Sequence, residues 1–531
     1  MRWMWNAVAS YNFEIKKHRF DALLGVELNR ETSDYFSAVG YDYPVFDTDY
    51  MWPETGTGVP KVYGGGDGFS LVSFFAKANY AYADRYLASV TVRHDGSSRF
   101  GKNNRYGTFP SFSAGWRISE EKFMKNVTWL DNLKIRVSWG KTGNQQIANT
   151  ARYSLYKSTM GTITDAGSSY DTAYDIAGNN SGNLSSGFKR IQRGNDDLKW
   201  ETTTQTNIGF DFEVLKNTLY GSFEWYNKKT TDILVDMPAI AIAGEGAHQF
   251  INAGTVLNRG VEFTLGWRGE KKGFRWDLTG NLGHYYNEIQ SLPETLVSNG
   301  TFGGNATNPI IGHAYGSQVG YVFDGIFQNQ AEVDNHAQQA QAAVGRMRFK
   351  DLDGDGKITD KDQTWIYDPT PKCSFGLNVY LQYKNFDFTM FWQGEVGRDV
   401  ITKDLKLETD LWAGTNVPNL NKGTRLLDAW TPNNPTSLIP ALTSTPVGLE
   451  SAMSSYYVEN GSYAKLRTIQ FGYNLPKNAL KKIFLSRLRF YLSAQNVLTI
   501  KSGKFSGVDP ENAGYGYPIP LNVTFGLNAS F

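Results

Sequence analysis

Twelve consecutive residues carry the sharpest chemical signature of this sequence. Asp351, Asp353 and Asp355 stand at loop positions one, three and five, Gly356 at six, Lys357 at seven and Asp362 at twelve. Ca²⁺ takes six to eight hard oxygens, and this spacing wraps carboxylates and one backbone carbonyl, that of Lys357, around a common point. Asp351, Asp353, Asp355, Lys357 and Asp362 are therefore the candidate ligands of a structural Ca²⁺. Position twelve is Asp rather than the longer Glu, which weakens bidentate closure. Arg348-Phe349-Lys350 reads as a strand, so the loop is not held between two helices. The competing reading is an Asp- and Gly-rich turn that holds no metal.

Other reactive constellations are missing. The six histidines, His18, His94, His248, His284, His313 and His336, form no H-E-x-x-H pair. No G-x-S-x-G elbow is present. Gly140-Lys141-Thr142 has the ending of a phosphate loop, but Ile135 occupies the place of its first Gly, and a Gly/Asn loop follows instead of a helix. Cys373 is the single cysteine, which excludes an intrachain disulfide. No catalytic residue and no cofactor other than Ca²⁺ is assigned, and the chain reads as a non-enzyme.

The elements that must position the Asp-rich loop show a period of two. Leu521, Val523, Phe525, Leu527, Ala529 and Phe531 alternate with Asn522, Thr524, Gly526, Asn528 and Ser530. Eleven residues of strict alternation match the roughly 9–11 of a membrane-crossing strand. Arg487–Ala494, Phe375–Lys384, Phe386–Trp392, Leu133–Trp139 and Leu219–Tyr226 repeat the pattern, with Lys384-Asn385 as a tight turn. The apolar faces often end in aromatics, as an interfacial girdle does, and the polar faces carry Tyr, Gln, Lys and Arg, which suit a wet lumen. A soluble β-sandwich or propeller also alternates and is the competing architecture.

Composition agrees with a barrel. The 531 residues include 14% aromatics and 54 Gly, while the mean hydropathy is negative. Only every second strand residue needs to face lipid, so a barrel never looks hydrophobic on average. Lys and Arg number 53 against 52 Asp and Glu, a balance that argues against a nucleic-acid binder held by phosphate contacts. The fold class expected is all-β, a transmembrane antiparallel β-barrel of roughly sixteen strands. Long polar connections are expected at Gln145–Lys199, Leu292–Ser317 and Leu405–Ser454, and a short loop helix at Val333–Val344. Met1–Trp5 shows no apolar export signal, which suggests a mature or truncated chain.

Several motifs together resemble one family. They are Arg93-His94-Asp95-Gly96-Ser97-Ser98-Arg99-Phe100-Gly101, Gly107-Thr108-Phe109-Pro110-Ser111, Ala114-Gly115-Trp116-Arg117-Ile118-Ser119-Glu120-Glu121 and Leu198-Lys199-Trp200-Glu201-Thr202-Thr203. Asn258-Arg259-Gly260-Val261-Glu262, Gly461-Ser462-Tyr463-Ala464-Lys465-Leu466-Arg467 and Asp509-Pro510-Glu511 continue the series. The combination resembles the SusC/RagA family of TonB-dependent outer-membrane transporters of Bacteroidetes. The resemblance implies that residues 1–531 are the C-terminal part of a larger plugged barrel, with signal peptide, TonB box and plug domain outside this stretch. It implies TonB-driven import of oligosaccharides or peptides, a SusD-like surface lipoprotein as partner, and outer-membrane lipid around the wall. No substrate residue is carried over; Asn378, Tyr380 and Gln382 on the polar face have the chemistry to bind sugars, and lumen packing is the favoured reading of each taken singly. A passive porin-like channel and a secreted glycan-binding or glycan-hydrolysing β-protein remain the alternatives.

Overall fold

The computed structural model describes residues 1–159, 173–174, 185–238, 247–411, 423–443, 447–480, 485–514 and 517–531. Parts of the connections expected at Gln145–Lys199 and Leu405–Ser454 lie outside the described residues. Fifteen strands form one antiparallel sheet in which neighbours follow chain order, close to the sixteen expected. No described helix is long and apolar enough to cross a membrane.

The chain divides into two compact units. The first comprises Met1–Gly115, Ser138–Gln205 and Thr230–Gly254. It contains the strands Arg2–Ile15, His18–Val39, Lys61–Tyr82 and Tyr86–Ser97, each paired with the next. His18–Val39 and Lys61–Tyr82 are 22 residues each and remain in register from His18↔Tyr82 to Val39↔Lys61. The core of this unit is Phe100, Phe109, Ala151, Leu198 and Trp200. Trp200 packs on Phe100 at 5.1 Å and edge-on to Phe109 at 5.4 Å, and its indole N–H donates to the Arg105 carbonyl at 3.0 Å. Gly101 passes so close to Asp196 that a Cβ would lie 2.1 Å from its carbonyl oxygen, so only glycine fits. Three of the family-like motifs thus meet in one core.

The second unit comprises Trp116–Val137, Thr206–Lys229 and Thr255–Phe531. Its strands Thr255–Lys271, Phe274–Ser291, Cys373–Tyr383, Phe386–Val396, Tyr463–Asn474, Arg487–Lys501 and Asn522–Ser530 pair in that order. Connections alternate in length. Lys272-Gly273 closes one hairpin with both residues at positive φ, the geometry that matches the twist of two-residue turns, while residues 292–372 intervene at the opposite end of the same pair.

The period-two segments are strands. Leu219–Thr231, Leu130–Asn144, Cys373–Tyr383 and Asn522–Ser530 contain them. The expected helix at Val333–Val344 is different: the helix is Gln330–Asp334, capped by the Asn329 side chain. Gln338, beyond the helix, bridges Lys357, and Gln339 uses its amide to donate to the Met347 carbonyl and accept from the Phe349 N–H. Those contacts replace the helical hydrogen bonds that local propensity favoured.

In the last strand, Val523, Phe525 and Leu527 sit opposite Ala494, Leu492 and Phe490, on the apolar side of the alternation. An Arg on a lipid-facing site at mid-membrane costs roughly 2–4 kcal/mol, and a lumen site tolerates it. Phe525→Arg should therefore reduce the heat-modifiable, folded fraction in isolated outer membranes, and Thr524→Arg should leave it near wild type. Equal losses would overturn the facing.

Candidate functional site

Two groups in the second unit bear on function: a packed body built by the long connections, and the polar side of the strand wall. The body has its core at Tyr321, Met347, Phe349, Leu411, Tyr456 and Tyr457. Short strand pairs brace it, Gln318–Tyr321 with Gln363–Tyr367, Phe323–Ile326 with Met347–Phe349, and Asp399–Ile401 with Val458–Asn460. The buried Arg346 and Glu450 form an ion pair at 3.1 Å, and Glu450 also accepts the Met347 N–H at 2.9 Å. Burial pushes the Glu450 carboxyl up despite the guanidinium beside it. Asp410 moves the other way: burial would raise it, but Arg425 and the Tyr456 hydroxyl hold it below the ordinary carboxylate range.

The Asp-rich loop rests on this body. Ile358 packs against the core, the Ile358 N–H donates to the Gln338 carbonyl at 3.0 Å, and the Tyr321 hydroxyl donates to Asp360 at 2.9 Å. Asp351, Asp353 and Asp355 each offer an oxygen within 4.8 Å of the others. Two oxygens on one Ca²⁺, each at 2.3–2.6 Å, stand at most about 5 Å apart, so the trio fits such an ion. Each carboxylate also accepts a backbone N–H, Asp351 from Gly354 and Gly356, Asp353 from Asp355, and Asp355 from Lys357. A carboxylate has about four lone-pair sites, which leaves room for a metal. Gly354 and Gly356 both take positive φ, the conformation the sharp bend requires.

Asp362 is not one of that trio, yet its carboxyl is in hydrogen-bonding contact with the Asp351 side chain. It is fully buried, and its carboxylate accepts the N–H groups of Leu352 at 2.8 Å and Thr359 at 2.7 Å while capping the short 3₁₀ turn Asp360–Asp362. Burial would raise it, and the amides of Thr359, Leu352 and Asp353 bring it below the ordinary value. Its position as an internal cap could have been suspected from Thr359-x-x-Asp362, a capping-box spacing.

The polar side of the wall is an ordered network. Arg136 contacts Asp211 at 3.3 Å and pairs with Glu224, which also accepts from Asn207. The Tyr220 hydroxyl reaches Asp277 and Thr279, and Arg489 pairs with Asp387. Of the residues singled out from the sequence, Tyr380 donates to Gln382 at 3.0 Å, and Asn378 is exposed. A recess of about 490 Å³ is lined in part by Glu262, Thr264, Asn281, Ser374 and Gln393, with Phe391 beside them. Sequence reading missed this recess, since its residues come from four strands.

One further knot joins two motifs far apart in sequence. Lys465, 2% exposed, donates to both oxygens of Asp509 at 2.6 and 2.7 Å and to Glu511. Arg467 and the Tyr463 hydroxyl also reach Glu511. The 502–514 connection is thereby fastened to the strand Tyr463–Asn474, and Ser506 adds a bond to Glu459.

Residues 2–497 match the family described as TonB dependent receptor-like, beta-barrel. The chain is 33% identical over 485 residues to TonB-dependent receptor P3 of Formosa agariphila, covering 87% of this chain and 45% of that protein. It is 31% identical over 479 residues to TonB-dependent receptor SusC of Bacteroides thetaiotaomicron, covering 87% and 44%. The structure of the RagAB peptide transporter superimposes with a TM-score of 0.80 at 25% identity, covering 99% of this chain and 55% of that one. The chain thus spans about half the length of the curated relatives it matches.

The Lys465 knot generates a pH prediction. Burial alone would raise Glu511, but Lys465, Tyr463 and Arg467 lower it from an ordinary 4.5 to about 2. A depressed carboxyl stabilises the fold above its unfolded pKa, and that contribution is lost as pH falls toward the folded value. Hydrogen-exchange protection of residues 502–514 should therefore fall between about pH 4.5 and 2. Glu511→Gln should weaken protection at neutral pH and flatten that dependence. An unchanged acid profile in the variant would remove Glu511 as its source.

Proposed function

Given that this chain belongs to the TonB-dependent receptor-like β-barrel family of the outer membrane, we infer that it forms the wall and outer loops of an energy-coupled nutrient importer. The family is one of transporters and receptors, not enzymes. The observation that carries the reading is the strand wall itself. One side alternates into apolar residues, and the other holds a continuous set of carboxylates, guanidiniums, amides and hydroxyls. A cargo passing such a wall exchanges hydrogen bonds with water for hydrogen bonds with Asn281, Gln393, Thr264 and their neighbours at little net cost. The cargo class is an oligosaccharide or a peptide, the second favoured by the likeness to a peptide transporter. A SusD-like lipoprotein partner and TonB coupling through a plug region complete the proposal, supported by the likeness to SusC and RagAB.

Cells carrying the full-length protein test this. Uptake of labelled oligosaccharides and peptides should require both the protein and TonB, and a co-purified surface lipoprotein should be found with it. Equal uptake without TonB would favour a passive channel. A chain that stays soluble without detergent would favour a secreted glycan-binding protein.

The Asp-rich loop has a separate proposed role, the binding of Ca²⁺ by Asp351, Asp353, Asp355, the Lys357 carbonyl and Asp362, the last also bracing the loop through its backbone hydrogen bonds. The metal would relieve repulsion among neighbouring carboxylates and hold the loop in one shape. Affinity on the order of 10⁻⁴–10⁻³ M suits an extracellular setting. Calorimetric titration of chelator-stripped protein should show one site, and Asp353→Ala should abolish it while leaving the barrel folded. No heat at several millimolar Ca²⁺ would leave only an acidic turn.

A further inference from the structure

The lipid-facing side of the wall in the second unit contains a gap. In the register of three adjacent strands, Leu265 stands opposite Gly280, and Gly280 opposite Leu377. Leu278, Leu282, Phe263 and Phe375 surround Gly280 on the same face. With no side chain at Gly280, these residues enclose a notch of about 480 Å³ whose lining is almost wholly hydrocarbon. The strand amides are engaged in the ladder, so the notch offers water no partners, and it suits an apolar chain.

A second observation lies on the same face of the same strand. Arg259, six residues before Leu265, stands opposite Tyr286 with its guanidinium 4.9 Å from the ring centre. Arg259 is exposed and forms no ion pair among the described residues. It lies toward the end where Ser291 leads into a long connection, the extracellular end of a barrel with short periplasmic turns. Six residues span about 20 Å along a strand, or about 14 Å of membrane depth at a tilt near 45°. An unpaired cation at the outer rim, with a dry notch about half a bilayer below it, matches one amphiphile.

We propose that Arg259 and the Gly280 notch form a single binding site for a phosphorylated outer-leaflet lipid, with the phosphate on Arg259 and one acyl chain in the notch. The proposal rests on the family placement for which face meets lipid, and not on transport, so lipid retention and uptake can fail independently.

The test uses the full-length protein, purified in mild detergent, washed free of lipid, and mixed with diphosphoryl lipid A or with phosphatidylethanolamine. Native mass spectrometry should show one lipid A retained per chain, and at least fivefold less phosphatidylethanolamine. Gly280→Leu puts hydrocarbon into the notch, and its Cβ meets no atom closer than 3.9 Å. It should lower lipid A retention at least fivefold. Arg259→Gln, an exposed change that gives up only the contact with the Tyr286 ring, should bring lipid A down to the phosphatidylethanolamine level. Both variants should keep heat-modifiable mobility and wild-type uptake. Equal retention of lipid A by wild type and either folded variant would overturn the site, as would competition by inorganic phosphate that left no dependence on Gly280.

Discussion

A strand that crosses hydrocarbon can leave no backbone N–H or C=O unpaired, because the bilayer interior offers no water to take its place. The fifteen-strand sheet follows from that constraint, and each strand spends its two faces separately once the backbone is satisfied. Apolar and aromatic residues take one face. Arg136 with Asp211 and Glu224, and Arg489 with Asp387, take the other, where they neutralise one another across strands, while Asp277 accepts from the Tyr220 hydroxyl. Charge that would be prohibitive in lipid is tolerated on the lumen side, where Asp211, Glu224 and Asp387 each have a guanidinium within reach.

Outside the membrane the constraint changes. The long connections have no bilayer to fold against, so they carry small cores of their own, Phe100 with Trp200 in one unit and Tyr321 with Tyr456 and Tyr457 in the other. Buried ion pairs then fix which segments meet. Arg346 with Glu450, Lys406 with Glu459, and Lys465 with Asp509 each join residues more than forty positions apart. A buried pair of this kind adds little net stability, yet losing one partner strands the other charge, so mispaired loops are penalised. The body that holds the Asp-rich loop is specified more by these pairs than by its modest apolar core.

What was legible in the sequence was what repeats locally. Val523, Phe525 and Leu527 announce their strand within a few residues, and the Asp351–Asp355 spacing announces a loop that gathers carboxylates. The family motifs were visible as text, but their purpose was not. Nothing near Lys465 points to Asp509, because the contact depends on how a connection folds back. The same holds for the recess at Asn281 and Gln393, assembled from neighbouring strands. Gln338 and Gln339 sit in a run that favours helix, and only their partners Lys357, Met347 and Phe349 explain why the helix ends early. Asp362 was read by its place in a metal loop, although its spacing from Thr359 equally described a cap.

The hairpin of His18–Val39 and Lys61–Tyr82 has a consequence of scale. A run of 22 residues covers about 75 Å, whereas a crossing needs about 9–11 residues. On one side, Tyr86–Ser97 flanks the hairpin only from Leu71 inward. The outer portion of the hairpin is exposed along both strands, with Tyr35 laid over the bare backbone of Gly65. Its tip carries Phe46 and Trp52, 89% and 66% exposed. Each strand continues about ten residues beyond what one crossing uses, so the aromatic tip is presented to water, where a surface protease can cut it while the membrane-crossing strands stay paired.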